Sequence, residues 1–164
     1  MTRKYDYKTP DWLFSRLDNR FHFGLDAYAS AENTLCHHYR SEEHPFEALT
    51  LDHLREMFPD GAAVWQNPPY DHGSLCAAVE HDRQLLHYAR LQHYPLVIAL
   101  LCPTKSDQAW HYLASSMATE INDIQGRIQF VGAKGGARES HQVFVFNSEF
   151  LGAHIIKSVQ KEIQ

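Results

Sequence analysis

The sequence predicts an α/β fold: a mostly parallel sheet with an antiparallel edge and helices on both faces. Three observations carry this expectation. Residues 96–101 are an unbroken apolar run between Pro95 and Pro103, the pattern of a strand covered on both faces. Helical periodicities alternate with short apolar segments along the chain, the order of strand–helix–strand units. The 164 residues are 44% apolar and 21% charged, a globular composition, and a chain of this size buries roughly 70% of its unfolded surface in one core.

The elements follow in order. Thr9 is placed to cap a first helix, Pro10 to begin it and Asp11 to complement its dipole, while Leu13, Phe14 and Leu17 share one face. Residues 21–27 are half apolar and end in small side chains, which reads as a strand. Residues 31–48 are polar and irregular and read as loop. Thr50 caps a short helix carrying Leu51, Leu54 and Phe58 on one side, closed by the turn Pro59-Asp60-Gly61. Residues 62–66 form a strand that Asn67-Pro68-Pro69-Tyr70 cuts off. Residues 74–92 contain neither Pro nor Gly and gather Leu75, Val79, Leu86 and Ala89 near one face of a helix. After the strand at 96–101, a helix over 107–117 carries Trp110 and Leu113. Residues 121–130 and 143–146 read as closing strands, joined across 132–140 by a loop with three glycines, Lys134 and Arg138.

Charge restricts the partners. The net charge of −5 divides into +2 over residues 1–20, −9 over 21–82 and +2 over 83–164. Such a chain does not bind nucleic acid by bulk charge, so any such contact must be local, in the first turn or the second half. No apolar run reaches the length of a membrane span, and no basic-then-apolar leader opens the sequence. Cys36, Cys76 and Cys102 lie far apart without a paired framework, as in a reduced cytoplasmic protein. Cys36-His37-His38 has no Cys-x-x-Cys or His-Glu-x-x-His partner, so surface histidines are expected there and no metal site. There is no Gly-x-Ser-x-Gly nucleophile elbow.

The chemistry concentrates at Asn67-Pro68-Pro69-Tyr70. Ligands of an α/β sheet lie at the carboxyl ends of its strands, and this tetrapeptide ends one. Two prolines fix two φ angles and remove two donors, so the loop is stiff. The Asn67 side-chain oxygen and the Pro68 carbonyl can then accept the two hydrogens of an exocyclic amine and aim its lone pair at an electrophile. Tyr70 offers a flat face for stacking an extruded base or another planar amide. Asp71 and His72 stand beside the motif as proton relays or as surface. The plain structural alternative is a Pro-Pro turn with an aromatic plug.

Asn-Pro-Pro-Tyr resembles the catalytic motif of amino-group methyltransferases that use S-adenosylmethionine. The surrounding blocks resemble one branch, the phage-encoded Dam-like DNA N-6-adenine methyltransferases. They are Thr9-Pro10-Asp11-Trp12-Leu13-Phe14, the run from Phe23-Gly24-Leu25-Asp26 through Asn33, Cys36 and Tyr39, then Val64 to Tyr70, Leu101-Cys102-Pro103-Thr104 with Asp107 and Trp110, and Gly126-Arg127-Ile128-Gln129-Phe130. The resemblance implies a compact Rossmann-like class I methyltransferase sheet; the length of 164 residues leads to the expectation of a single domain over residues 1–164 with no separate target-recognition domain, and so of a loose sequence preference or one set by a few loop residues. The resemblance also implies methyl transfer to the exocyclic amine of adenine in DNA, with the base flipped out, in the cytoplasm of a bacterial host and on a phage or prophage gene.

In that scheme Asn67 and Pro68 hold the amine, Pro69 stiffens the loop and Tyr70 stacks the base. Thr9 and Pro10 close over the cofactor, while Asp26, Ala27 and Ser30 form its loop; the alternative for Asp26 is a strand-end cap. Glu43 is a ribose or cofactor ligand, or solvated surface. Arg127, Lys134 and Arg138 hold phosphates, or form a charged hairpin in water. Two departures stand out: no Gly-x-Gly follows the first strand, and Arg138-Glu139-Ser140-His141 replaces a more apolar stretch. Alternatives from other classes are a methyltransferase acting on cytosine, an RNA base or a protein glutamine, and an inactive nucleic-acid-binding relative.

Overall fold

In the computed structural model, which describes residues 8–150 and 155–161, helices and strands alternate as the periodicities require. The order is α1 (Asp11–Phe21), β1 (Leu25–Asp26), β2 (His38–Tyr39), α2 (Leu51–Met57), β3 (Ala62–Gln66), α3 (His72–Leu91), β4 (Leu96–Pro103), α4 (Ala109–Met117), β5 (Glu120–Ile124), β6 (His141–Asn147) and β7 (Ile155–Val159), with a 3-10 turn at Phe46–Ala48 before α2. The seven strands form one sheet ordered β2-β1-β3-β4-β6-β5-β7.

Side-chain alternation sorts the two faces. Val64, Leu96, Ile98, Leu100, Phe144 and Phe146 point to one side and meet α2, α3 and α4. Trp65, Ala99, Leu101, Val143 and Val145 point to the other and meet Leu13, Phe14 and Leu17 of α1. On that second face Phe14 stands edge-on to Trp65 with centroids 5.6 Å apart, and Phe23 packs on both. The sheet is thus covered by helices on both faces, as a central strand apolar on both sides demands.

Strands β2, β1, β3 and β4 run parallel, β5 and β7 are parallel to each other, and β6 is antiparallel to both β4 and β5. The antiparallel member is therefore inside the sheet and not at its edge. The chain leaves β5, loops over 125–140 and returns between β5 and β4, while β7 extends the sheet beyond β5. This has one decisive consequence. His141 pairs with Pro103, so the first residue of β6 lies at the carboxyl end of β4.

Several boundaries differ from the sequence expectation. Pro10, extended at ψ 137, is the N-cap of α1 and makes no side-chain cap bond, so Thr9 is outside the helix and does not cap it. The strand expected at 21–27 shrinks to Leu25–Asp26, because Asp18 ends α1: its carbonyl accepts from His22 N–H, and its side chain accepts from Phe23 N–H at 2.7 Å. His22 turns the chain with φ 55. The loop over 31–48 contains β2 and the 3-10 turn. The strand expected to reach residue 130 stops at Ile124, two residues before Gly126 at φ 79. β7 has no counterpart in the sequence reading.

Candidate active site

β1, β3 and β4 are parallel, so their carboxyl ends share one edge, and the residues that follow each strand meet there. Asp26 ends β1 and is the register partner of Trp65 on β3. Asn67 follows β3. Lys8, Thr9, Asp26, Tyr28, Asn33, Leu35, Trp65 and Asn67 enclose a narrow cavity of about 10 Å³. Thr9 and Asp26, far apart in sequence and both buried, thus reach the same cavity as the first residue of the motif.

Asp26 organises this edge. Its carboxylate accepts from Tyr28 N–H at 3.4 Å and Leu35 N–H at 3.1 Å, tying both ends of the 28–35 segment to β1. Burial pushes its pKa up to about 6, against the two backbone bonds, which favour ionisation. Ala27 N–H bonds the Trp65 carbonyl, which docks this segment on β3. Ser30 starts the turn that follows, with its N–H on Asn33 Oδ1 at 2.7 Å and its hydroxyl accepting from Glu32 N–H. Glu43 is exposed beyond β2 and does not line the cavity.

The motif is held from both sides. Pro68 is buried, while Asn67 and Pro69 are half-buried. Asp71 caps α3, its side chain accepting from both Ser74 N–H and the Ser74 hydroxyl, and His72 bonds Gln108. Both residues proposed as relays therefore have structural partners. Tyr70 folds back so that its hydroxyl donates to Asn67 Oδ1 at 2.7 Å, which fixes the carboxamide. Desolvation of that hydroxyl raises its pKa well above the ordinary tyrosine range, so it remains a donor. Behind the motif, Gln66 Nε2 donates to Asp82 Oδ1 of α3 at 2.7 Å, with both side chains fully buried.

Two aromatic neighbours of Tyr70 come from residues distant in sequence. Phe130 lies 6.0 Å and His141 5.2 Å away between ring centroids, and these two rings also contact each other. His141 Nδ1 sits 3.0 Å from the Glu139 carbonyl, an acceptor, so Nδ1 carries the proton. His141 Nε2 is buried without a partner, and burial lowers the pKa of the ring. Sequence reasoning gave His141 no role. Its signal was only the departure from an apolar stretch, and strand β6 alone brings it to the motif.

Arg127, Lys134 and Arg138 are all exposed on the loop over 125–140. They are not equivalent. Arg127 lines an open groove with Trp12, Gln125, Gln129, Phe130 and Lys161, whereas Lys134 and Arg138 line neither that groove nor the cavity. Among the described residues no cluster of three His, Cys, Asp or Glu is arranged to hold a metal ion, and no helix is long and apolar enough to cross a membrane.

The comparisons with known proteins point to the same chemistry as the motif. A protein 27% identical over 121 residues is a DNA N-6-adenine-methyltransferase of Escherichia phage T1; the match covers 70% of this chain and 42% of that protein. The chain therefore spans about two fifths of that relative's length. The family description DNA N-6-adenine-methyltransferase (Dam) matches residues 2–162, which take in every element from α1 to β7. By that match the chain belongs to the DNA N-6-adenine-methyltransferase (Dam) family.

Proposed function

We propose that this chain transfers a methyl group from S-adenosylmethionine to the exocyclic amine of adenine in DNA. The observation that carries the reading is Asn67-Pro68-Pro69-Tyr70 at the carboxyl end of β3, with Asn67 Oδ1 held by Tyr70 and Asn67 lining one cavity with Thr9 and Asp26. The family membership supports it.

The residues fit the cofactor in chemistry. Asp26 is a buried carboxyl able to accept from an ammonium, and the small, buried Ala27 and Ala29 let a ligand approach the backbone. The cavity is narrow and partly open to solvent. The Lys8–Pro10 wall is tied to the loop over 125–140 by one bridge, Val131 N–H on the Lys8 carbonyl at 3.0 Å. Thr9, Pro10, Asp26, Ala27 and Ser30 are the proposed cofactor residues; Glu43, at the carboxyl side of β2, would reach it only through the ribose.

When bound, S-adenosylmethionine supplies the electrophilic methyl group. The chain's own task is to present the nucleophile. Adenine's amine is weak because its lone pair is delocalised into the ring. Asn67 Oδ1 and the Pro68 carbonyl, each accepting one amine hydrogen, draw the nitrogen toward tetrahedral geometry and aim its lone pair. Tyr70, backed by Phe130, offers the aromatic face against which an extruded base rests, and flipping costs a few kcal/mol. Arg127, Lys134 and Arg138 hold the backbone phosphates. On this reading the chain acts in the cytoplasm with a loose sequence preference.

The test is nucleoside mass spectrometry on methylation-free DNA incubated with the protein and S-adenosylmethionine, with Asn67→Ala in parallel. N6-methyladenine from the parent and a loss of at least about 10²-fold in the variant are expected, the scale of removing one electrostatic contact to the reacting group. Methylcytosine, or equal product from both proteins, would overturn the assignment.

A further inference from the structure

The geometry points to a second nucleotide site, beside the catalytic motif, that takes the nucleotide flanking the target base. It rests on the DNA-methylation reading above and adds to it a subsite on the face of the sheet that carries α1. The groove has a volume of about 460 Å³ and is walled by the start of α1, the loop over 125–133 and Lys161. That volume lies within the range that houses small ligands.

Its chemistry is selective. Arg127 and Lys161 line it, and none of the described lining residues carries a carboxylate, in a chain whose net charge is −5. The local field therefore favours an anion where the molecule as a whole repels one. Trp12 supplies a half-buried indole for stacking, and Gln125 and Gln129 supply exposed amides that donate and accept, the pattern that reads a base edge. A cation pair, an aromatic face and two amides together match one nucleotide of a strand; a bare phosphate would leave the indole and the amides unused.

Position completes the argument. Phe130 belongs both to the wall of this groove and to the ring cluster around Tyr70, so the two sites share a partition one side chain thick. A strand whose target base sits at Tyr70 passes its neighbouring nucleotide over Phe130 into the groove. The glycines at its turns, Gly126 at φ 79 and Gly132 at φ 91, hold the wall in a backbone conformation that other residues rarely adopt. This arrangement places flanking-base preference on Gln125 and Gln129.

Trp12 provides the readout. Trp65 is 0% and Trp110 4% exposed, so quenching of the intrinsic fluorescence by a stacked base reports on Trp12 alone. A short adenine-containing oligodeoxynucleotide is titrated into the parent, Trp12→Phe, Trp12→Ala, Arg127→Ala, Lys161→Ala and Gln129→Ala. Quenching by the parent, lost in Trp12→Phe, is expected. Trp12→Ala should weaken binding about tenfold, the loss of one stacked base. Arg127→Ala and Lys161→Ala should each lower the slope of log affinity against log salt by about 1. Gln129→Ala should keep methylation and broaden the bases found beside methylated adenines in sequenced plasmid.

Unchanged quenching, salt slope and flanking preference in these variants, with methylation intact, would overturn the subsite. Absence of methylation by the parent would instead overturn the proposed reaction. Calorimetric binding of S-adenosylmethionine by each variant, equal to the parent's, shows that the effects belong to the groove.

Discussion

Replacing Asp82 by Asn preserves the shape of a side chain buried behind the Asn67-Pro68-Pro69-Tyr70 loop and removes its ability to ionise. Asp82 accepts from Gln66 Nε2, but Gln66 Oε1 and Asp82 Oδ2 have no hydrogen-bond partner. Burial drives the carboxyl well above the ordinary carboxylate range, more strongly than the Gln66 bond lowers it, and Glu47 adds to the rise. Burial therefore favours the neutral form of Asp82 in the folded protein. The sign of the linkage follows. A group whose pKa rises on folding contributes stability that is complete below its unfolded value, about 3.9, and that declines as pH rises toward the folded value. The decline is at most about 1.4 kcal/mol per pH unit.

Asn at position 82 offers the same donor and acceptor without this slope. Over the pH range above about 4.5 the difference in unfolding free energy should move in favour of Asp82→Asn, by at most about 1.4 kcal/mol per pH unit. Asp82→Ala, which strands the Gln66 amide, should instead cost about 1–3 kcal/mol across that range. Urea unfolding followed by circular dichroism at a series of pH values measures all three proteins. Parallel pH curves for the parent and Asp82→Asn would refute the neutral pair, and with it the view that an uncharged Gln66–Asp82 contact anchors the residue preceding Asn67.

Asp26→Asn leaves one acceptor where two backbone N–H groups bond, so the 28–35 segment loosens and affinity for S-adenosylmethionine should fall at least about tenfold in calorimetry. With the Asp26 pKa raised to about 6, the parent's affinity should drop as pH falls through that value, and the variant's should not. Glu120 is a separate, structural case: Arg20 grips both its oxygens at 2.7 and 2.8 Å and Lys157 bonds it at 2.9 Å, joining α1 to β5 and β7. Burial by itself would raise its pKa, but these bonds outweigh it and bring the value down to about 2. Both cations are about 40% exposed, so Glu120→Gln should cost only about 1–2 kcal/mol near neutral pH. A depressed pKa means this contribution is full above the ordinary 4.5 and is lost as pH falls toward about 2, where parent and variant should unfold at the same urea concentration.

What was legible in the sequence is what local chemistry decides. The apolar run at 96–101 needs cover on both sides, so it could only be a central strand, and it is β4. Two adjacent prolines after an apolar strand can only end it, and they place Asn67 at the sheet edge. Thr50 caps α2 as its residue type and position demand. Thr9 was misassigned for a reason of the same kind: Pro10 is acceptable at either the cap or the first turn, and tertiary packing against the cavity draws Thr9 inward. β2 and β7 escaped notice because a two-residue strand leaves no alternation to read, and because β7 pairs only with β5 at the sheet margin, with Ile155 and Ile156 exposed.

The part of the site that stayed hidden depends on one topological fact. Nothing in Phe130 or His141 as residues marks them as neighbours of Tyr70, some sixty to seventy positions earlier. They arrive together because β6 runs against β4: an antiparallel strand in that slot must begin where β4 ends, and the loop that feeds it must cross the same edge. A parallel strand there would have put His141 at the opposite edge and left Tyr70 facing water. The interior position of β6 thus does more than complete the sheet. It makes the loop over 125–140 a wall of the candidate site, and that is why the positive charge of Arg127 and the groove beside it stand next to Asn67-Pro68-Pro69-Tyr70 in a chain that carries a net −5.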